Sequence, residues 1–441
     1  MSFVCSTSTE CMKSELDLFS LPYTQVSVEK AHYLEYKPLS SITEEGTIEF
    51  HVTGSGNEFI DLAHTMLGVK AQIFTNANVE NPNAQQLAAI ASVGPVNNFM
   101  HSLFSQVDVS FNQKNVSNNS STYAYRAYFE NLLNYGHPAK SSHLSSILWA
   151  ADTPGQMDNT EDANLGLVKR RAMMGNNKTV DMLGHLHCDV FNQDKLLING
   201  VDLHLRLVKS REGFSIMDVT GVYNVRILEA TLYIRRVVIN PDVLIAHNNI
   251  LSKTTAKYPL TRVEIKTVSL HAGIYGESLD NVVLGQLPKR LLIAFVKNRA
   301  YVGNRTLNPF NFEHFNLNYL SLYVDGVQVP SKPLQPNFAE NNFIQSYLTL
   351  FSGTGIHFLN QGNCISREDY KDGNMIHVFD LSPDLSSNDS THWNLVKQGS
   401  IRIDLRFSQA LAETVNAIVY MKFDTLLEID ASRNCITDFA G

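Results

Sequence analysis

The chain has 441 residues, of which 44% are hydrophobic, 10% aromatic and 18% charged, and its formal net charge is −8. This length allows two or three domains with large cores, and the acidic balance excludes a chain that clamps nucleic acid over its whole surface. Because charged residues fall below the roughly 25% of an average soluble chain, we expect an oligomer interface to cover part of the surface.

The N-terminus and the cysteines indicate the cellular compartment. Residues 1–19 lack a charged segment followed by an apolar run, so no secretory signal is expected. No apolar stretch approaches the ~18 residues of a transmembrane helix, so membrane insertion is not expected either. The cysteines are far apart and form no CxxC pair, which predicts reduced thiols in an intracellular compartment. They are Cys5, Cys11, Cys188, Cys364 and Cys435.

Residues 1–44 are predicted to form an N-terminal arm. They are polar and show no sustained periodicity, yet the aromatic residues within 21–39 favour an arm that docks on a neighbouring surface. Alternating apolar residues then begin a first β-domain, predicted over 45–240. Its predicted elements are strands over 48–52 and 66–74, an Asn-rich loop over 77–93, a strand over 107–111, a helix over 122–135, a short helix ending at 169–171, and strands over 185–191, 201–209 and 223–238.

Residues 241–258 are predicted to be a linker with a helical turn, since they hold a proline and several polar residues. A second β-domain is predicted over 259–441. Its predicted elements are a strand from Val263 with a bulge near Val268, strands over 290–297 and 320–324, a hairpin turn at Asp325-Gly326, and a helix over 342–351 that ends near Gly353.

One strand pattern occurs in both halves. Residues 203–207 (LHLRL) and 403–407 (IDLRF) share the order apolar, polar, apolar, Arg, apolar, which is typical of a strand with one buried face. Each is followed by a polar loop and a longer apolar strand, so we align Leu203 with Ile403 in equivalent closing strands. The sequence therefore predicts an all-β fold of two tandem jelly-roll β-sandwiches, a double jelly roll, with short helices in the connecting loops.

Several long segments resemble one known family, the major capsid (hexon-like) proteins of Polinton/Maverick elements and the related adintoviruses. The resemblance extends over nearly the whole chain and rests on long strings rather than on a catalytic motif. The segments are 21–39 (LPYTQVSVEKAHYLEYKPL), 46–67 (GTIEFHVTGSGNEFIDLAHTML), 93–112 (VGPVNNFMHSLFSQVDVSFN), 122–136 (TYAYRAYFENLLNYG), 196–210 (LLINGVDLHLRLVKS) and 308–330 (NPFNFEHFNLNYLSLYVDGVQVP).

The resemblance implies a viral major capsid protein with a double jelly roll, which assembles as a pseudohexameric homotrimer and tiles an icosahedral shell. Three chains with two similar sandwiches each present six similar corners, so a three-fold particle fills six-fold positions of a lattice. The resemblance also implies a virion protein that is made and assembled inside the host cell, in its nucleus or cytoplasm. Penton and minor capsid proteins are the expected partners, and direct contact with DNA stays open.

Two other hypotheses stand beside the capsid subunit. One is a tandem β-sandwich that binds glycans or a receptor through its loops. The other is a cupin-like metalloenzyme in which His185 and His187 lie on one face of a strand and bind a metal. No suitably spaced Glu and later His accompany them, so ordinary strand positions are expected. The main prediction is a non-enzymatic protein with no catalytic, metal-binding or cofactor-binding residue.

Four other motifs have a plain structural interpretation. Residues 369–374 and 382–390 are rich in oxygen atoms that suit Ca²⁺, but they lack EF-hand spacing, so solvated loops are expected. The GSG sequence at 54–56 is expected to be a turn, because a phosphate loop needs a GxxxxGK[ST] motif. Cys188 is expected in the core rather than as a nucleophile.

Two basic groups and one aromatic helix leave alternatives open. The basic groups 169–171 and 235–236 either face DNA or a minor capsid partner, or form a solvated helix face and a strand end. The helix over 122–135 either binds a partner or packs against its own sandwich, and the second is expected from its apolar periodicity.

Overall fold

The structure is a computed structural model that describes residues 9, 11–43, 46–75, 93–117, 120–174, 178–211, 213–221, 223–356, 359–360, 362–389 and 391–437. Two β-sandwiches, one from each half of the chain, make up most of these residues. Except for its last residue, the loop predicted over 77–93 lies outside the described part of the chain, and so does Cys5. The cysteines within the described part carry free thiols.

The first sandwich consists of two four-stranded antiparallel sheets, in the strand orders β1-β10-β3-β7 and β2-β8-β5-β6, with the short strands β4 and β9 paired beside them. Side chains alternate as expected for half-buried strands, and Ile48, Phe50 and Val52 point into the core. The strands are β1 (Val28–Tyr36), β2 (Ile48–Val52), β3 (Glu58–Thr75), β4 (Gly94–Pro95), β5 (Phe104–Phe111), β6 (Lys114–Asn115), β7 (Thr179–His185), β8 (Leu203–Lys209), β9 (Ile216–Met217) and β10 (Tyr223–Ile239).

The second sandwich repeats this arrangement with the sheet orders β11-β18-β13-β16 and β12-β17-β14-β15, and β19 pairs with the end of β18. Its strand β13 is buried along almost its whole length, because the sheet is covered on both faces there. The strands are β11 (Ala256–Leu270), β12 (Gly276–Gln286), β13 (Arg290–Lys297), β14 (Leu317–Val324), β15 (Val327–Leu334), β16 (Ile376–Asp380), β17 (Gln398–Phe407), β18 (Val415–Ile429) and β19 (Cys435–Thr437).

Both sandwiches have the same topology. If the eight main strands of each are numbered in chain order, one sheet reads first, eighth, third, sixth, and the other reads second, seventh, fourth, fifth. This is the strand order of a jelly roll, so the predicted all-β fold of two tandem jelly rolls is confirmed. Strands β8 and β17 occupy the same place in the two sandwiches, as their shared sequence pattern predicted.

The register between these two strands differs from the predicted alignment by two residues. A bulge between Phe104 and Gln106 in β5 has its counterpart between Leu317 and Tyr319 in β14. When the two bulges are superimposed, Leu203 corresponds to Ile401 rather than to Ile403. The prediction was wrong here because a strand has a side-chain period of two, so a slip of two residues preserves the apolar pattern.

Short helices lie in the connections, as predicted. The helix predicted over 122–135, the short helix ending at 169–171, the helical turn in the linker and the helix over 342–351 are all present. The helices are α1 (Phe99–Ser102), α2 (Tyr123–Asn134), α3 (His137–Ser141), α4 (Leu165–Met173), α5 (Pro241–Leu251), α6 (Asn298–Val302), α7 (Ile344–Ser352) and α8 (Arg367–Lys371). No helix in the described ranges has the length and apolar character needed to cross a membrane.

The N-terminal region contributes a strand that the sequence did not predict. Residues 28–36, assigned above to the arm of residues 1–44, form β1 at the edge of the first sandwich and pair with β10. No side chain of β1 is fully buried, and only every fourth one is half-buried. An edge strand that covers a sheet through its backbone needs no apolar alternation, which is why the pattern gave no signal. The division into domains otherwise stays a prediction.

Two smaller predictions were wrong. The strand predicted over 185–191 is absent beyond its first residue, since β7 ends at His185. Residues 189–191 form a 3₁₀ turn instead, because this segment leaves the sheet to contact the second sandwich. The bulge predicted near Val268 is absent, since β11 pairs with β18 in unbroken register from Ala256 to Leu270.

Candidate functional site

Helix α2 lies at the seam between the two sandwiches. The whole helix from Tyr123 to Leu133 is buried, although it belongs to the first half of the chain. Its aromatic side chains stack on rings of the second half. Tyr128 lies parallel to Phe310 with ring centroids 4.2 Å apart, and Phe129 stacks on Phe312 at 5.1 Å. The helix therefore packs against both sandwiches, and not against its own alone as expected.

Buried charges accompany these rings. Glu130 of α2 accepts from Arg126 Nε at 3.0 Å and lies 2.7 Å from His187 Nδ1. From the second sandwich, the hydroxyl of Tyr420 donates to the same carboxylate at 3.2 Å. Burial alone would raise the pKa of Glu130, but the charge of Arg126 and the hydrogen bond with His187 outweigh it and hold that pKa well below its usual range.

A second carboxylate at the seam behaves in the opposite way. Asp189 lies 2.7 Å from Arg126 Nη2 and accepts from the backbone N–H of Val263 in β11 at 3.2 Å. Burial raises the pKa of Asp189, and Arg126 offsets this only in part. Arg126 is thus shared between two acidic groups, and each of them also accepts a hydrogen bond from the second sandwich. Removing one group would leave the others buried with fewer partners.

A separate polar contact ties the sandwiches together further along the seam. Arg170 of α4 is completely buried and pairs with Asp152 at 2.6 Å. The other oxygen of Asp152 accepts from the side-chain amide of Asn308 in the second half, at 2.9 Å. The seam is therefore fixed by packed rings and by directional hydrogen bonds at several points, and both kinds of contact hold the two sandwiches in one relative orientation.

The sequence did not single out these polar groups. Arg126 and Glu130 stand four residues apart in the predicted helix, and this i, i+4 spacing of opposite charges is the signal that the sequence offers. Tyr420 and Asn308 give no such signal, because only the fold brings them to Glu130 and Asp152.

The histidines considered as metal ligands belong to this seam. His185 hydrogen-bonds Asn192 at 3.0 Å, whereas His187 contacts Glu130 and packs edge-on against His101. Among the residues that the structure describes, no group of three or more His, Cys, Asp or Glu side chains is placed to hold a metal ion. Cys188 is buried beside them, and burial raises the pKa of its thiol to about 12, which disfavours the thiolate that a nucleophile requires.

The two oxygen-rich segments form internal contacts, and the segment 369–374 begins in α8 rather than in a solvated loop as expected. In residues 382–390, the exposed Asp384 accepts from Ser386 and His392, which lowers its pKa. In residues 369–374, Asp369 forms a capping box with Ser366 at the start of α8. The GSG at 54–56 connects β2 to β3, and the N–H of Gly54 donates to Asp202 at 2.7 Å.

Most of the basic side chains considered for DNA contact make internal contacts. Arg170 is buried as described, and Arg171 donates to the backbone carbonyl of Val93 at 3.1 Å. Arg236 is buried and donates to the hydroxyl of Tyr36 at 2.7 Å. Only Lys169 of these groups is largely exposed, so the two basic clusters do not form a solvated cationic surface.

Apolar exposure is concentrated in the arm segment, residues 11–27. Phe19 is 96% exposed and Leu21 89% exposed. Isolated exposed apolar residues are normal, but a run of them marks an interaction surface. The exposed large apolar side chains of this segment are Met12, Leu16, Leu18, Phe19, Leu21, Tyr23 and Val26.

Comparison with known proteins supports the topology described above. No protein-family model matches the chain. An uncharacterized protein of Caenorhabditis elegans, F54H12.2, is 25% identical over 442 residues, which cover 95% of this chain and 99% of that protein. The crystal structure of the mavirus major capsid protein matches with a TM-score of 0.53 at 9% identity, over 99% of this chain and 97% of that one. The chain has the double jelly-roll fold of a capsid protein.

Two further solved structures agree. A chain of the Sputnik virophage structure matches with a TM-score of 0.63 at 13% identity, over 100% of this chain and 94% of that chain. A chain of the PBCV-1 virus capsid matches with a TM-score of 0.59 at 10% identity, over 96% of this chain and 100% of that chain. Both sandwiches and the seam between them therefore lie within the matched region.

Proposed function

We propose that this chain is the major capsid protein of a virus, and that it forms a pseudohexameric homotrimer that tiles an icosahedral shell. The observation that carries the proposal is the pair of jelly rolls with one topology, held side by side by α2. Two like sandwiches in a fixed orientation give a trimer six similar corners, which a six-fold lattice position requires. The role is structural rather than enzymatic.

The double jelly-roll fold that the chain shares with the solved capsid structures supports this proposal. The sequence resemblance indicates the group of elements to which the protein belongs. The segments that resemble Polinton/Maverick and adintovirus capsid proteins include 122–136, which contains the seam helix α2. We place the protein in that group of elements. It would then reside in the virion, assemble in the nucleus or cytoplasm of the host cell, and contact penton and minor capsid proteins.

The exposed apolar run of the arm and the low share of charged residues fit repeated contacts between copies. Contacts within a trimer should be extensive and apolar, whereas contacts between trimers should be weaker, so that a misplaced trimer can leave the growing shell. The proposal therefore separates two levels of association, which two measurements can resolve.

Light scattering coupled to size exclusion tests the first level, and electron microscopy of the same sample tests the second. We expect a trimer that survives dilution to micromolar concentration, with a pseudohexagonal outline, and closed shells or sheets at higher concentration. A stable monomer would overturn the proposal, and glycan-array binding by that monomer would favour the tandem binding module instead.

A further inference from the structure

An apolar groove lies under the linker helix, at the end of the first sandwich from which the arm segment departs. Its volume is about 420 Å³, within the roughly 300–1,000 Å³ of ligand-sized pockets. Nearly all of its wall is apolar, and Ile250 of α5 is 58% exposed there. The apolar lining includes Phe59, Ile239, Ile250, Leu251, Ala256 and Tyr258.

The edge of this groove is basic. Lys195 and Lys257 both line it and are both exposed, and Lys195 Nζ donates to the backbone carbonyl of Lys257 at 3.0 Å. The contact brings two lysines together at one side of an apolar recess. A suitable occupant therefore presents large apolar side chains beside acidic ones.

The arm segment has this composition. Between its exposed apolar side chains it carries Glu15 and Asp17, on either side of Leu16. It also leaves the sandwich next to the groove. Val28, the first residue of β1, pairs with Ile239 in the groove wall. The backbone N–H of Asn240 donates to the carbonyl of Ser27, the residue before Val28.

We propose that the arm segment of a second copy of this chain docks in the groove, with its apolar side chains inside and Glu15 and Asp17 facing Lys195 and Lys257. Within one copy every residue of the arm segment is exposed, and most of its apolar surface is uncovered. Since each copy has both the arm and the groove, each of three copies around a three-fold axis can donate its arm to the next copy, as in domain swapping. The inference rests on the proposed capsid function and names one of its contacts.

A cross-linking experiment with the full chain tests this exchange. One copy carries benzoylphenylalanine at position 19. A co-expressed copy lacks it and carries Asp242→Glu, an exposed change that marks its groove peptide by mass. After illumination we expect position 19 of the first copy to be linked to the marked peptide within 239–258 of the second.

Charge reversal shows whether the acidic and basic groups meet. Lys195→Glu with Lys257→Glu in the marked copy should lower the yield about fivefold to tenfold, and Glu15→Lys with Asp17→Lys in the first copy should restore it. Lys253→Glu, an exposed neighbour outside the groove lining, should leave the yield unchanged.

The other outcomes separate the inference from the proposed function. Links only to the unmarked Asp242 peptide would show that the arm docks in the groove of its own chain. Links to other parts of the marked copy would also overturn the exchange. So would an aliphatic molecule that native mass spectra show bound in the groove. If trimers form without groove links, the exchange is wrong while the capsid function stands. If the chain is monomeric, the capsid function itself is wrong.

Discussion

The hydroxyl of Tyr420, in the second sandwich, donates a hydrogen bond to the Glu130 carboxylate of the first at 3.2 Å. The two residues are 290 positions apart in the chain, and both are buried. The bond thus links the relative placement of the sandwiches to the ionisation of one carboxylate. If the proposed trimer forms and the orientation of the sandwiches sets its outline, this buried polar contact contributes to assembly.

Tyr420→Phe should weaken the seam without changing its packing. A hydrogen bond to a charged acceptor stabilises by roughly 1.5–3 kcal/mol, and phenylalanine keeps the ring that contacts Phe129. We expect a loss of about that size in the free energy of unfolding from chemical denaturation. The same change at the exposed Tyr275 should cost less than about 0.5 kcal/mol. Equal losses at the two sites would show that the seam bond contributes nothing.

Glu130→Gln should have a larger effect than Tyr420→Phe. The amide fills the same space, but Arg126 and His187 then lose the carboxylate that both contact. Removing one partner from a buried ion pair costs about 3–5 kcal/mol. Thermal unfolding should show a lowered midpoint, and Glu340→Gln at an exposed site is the matched control. If the Glu130→Gln protein is as stable as the control, the Glu130 carboxylate does not stabilise the fold through Arg126 and His187.

Sequence patterns predicted the elements whose signal is local. The turn at Asp325-Gly326 is one, because both residues take positive φ and only a few residue types do so readily. Strand β1 was missed because an edge strand with exposed side chains leaves no alternation. The seam was missed for a different reason. Glu130 and Tyr420 contact each other only when the two sandwiches pack together, and no sequence periodicity within either sandwich predicts a contact between them.

Gly353→Ala should destabilise the second sandwich. The sequence marks this glycine as a helix stop, yet its φ is −72°, which any residue adopts. The structure gives another reason: an added Cβ would overlap the backbone carbonyl of Val378 in β16. Overpacking of this kind costs about 1–3 kcal/mol. Gly56→Ala, where a Cβ meets nothing within 4 Å, should leave the unfolding midpoint unchanged, and a harmless Gly353→Ala would show that α7 can move away from β16.

The buried histidines should make the protein sensitive to acid. His377 of β16 is fully buried, and its Nδ1 lies 3.3 Å from the hydroxyl of Tyr370. Burial lowers the pKa of His377 from 6.5 to about 3. Burial also lowers the pKa of His101 and of His185. Below about pH 6.5 the unfolded chain therefore binds protons that the folded chain does not, so stability falls as the pH drops through this range.

His377→Phe should reduce this dependence by the equivalent of one proton. The slope of the unfolding free energy against pH should fall by about 1.4 kcal/mol per pH unit between about pH 4 and 6, as measured by urea denaturation at successive pH values. Tyr370→Phe keeps the imidazole buried and removes only the hydroxyl, so it should lower stability without changing the slope. The remaining slope of His377→Phe should be positive, because His101 and His185 still resist protonation in the folded state. An unchanged slope would show that His377 takes up a proton as readily in the folded chain as in the unfolded one, which its burial argues against.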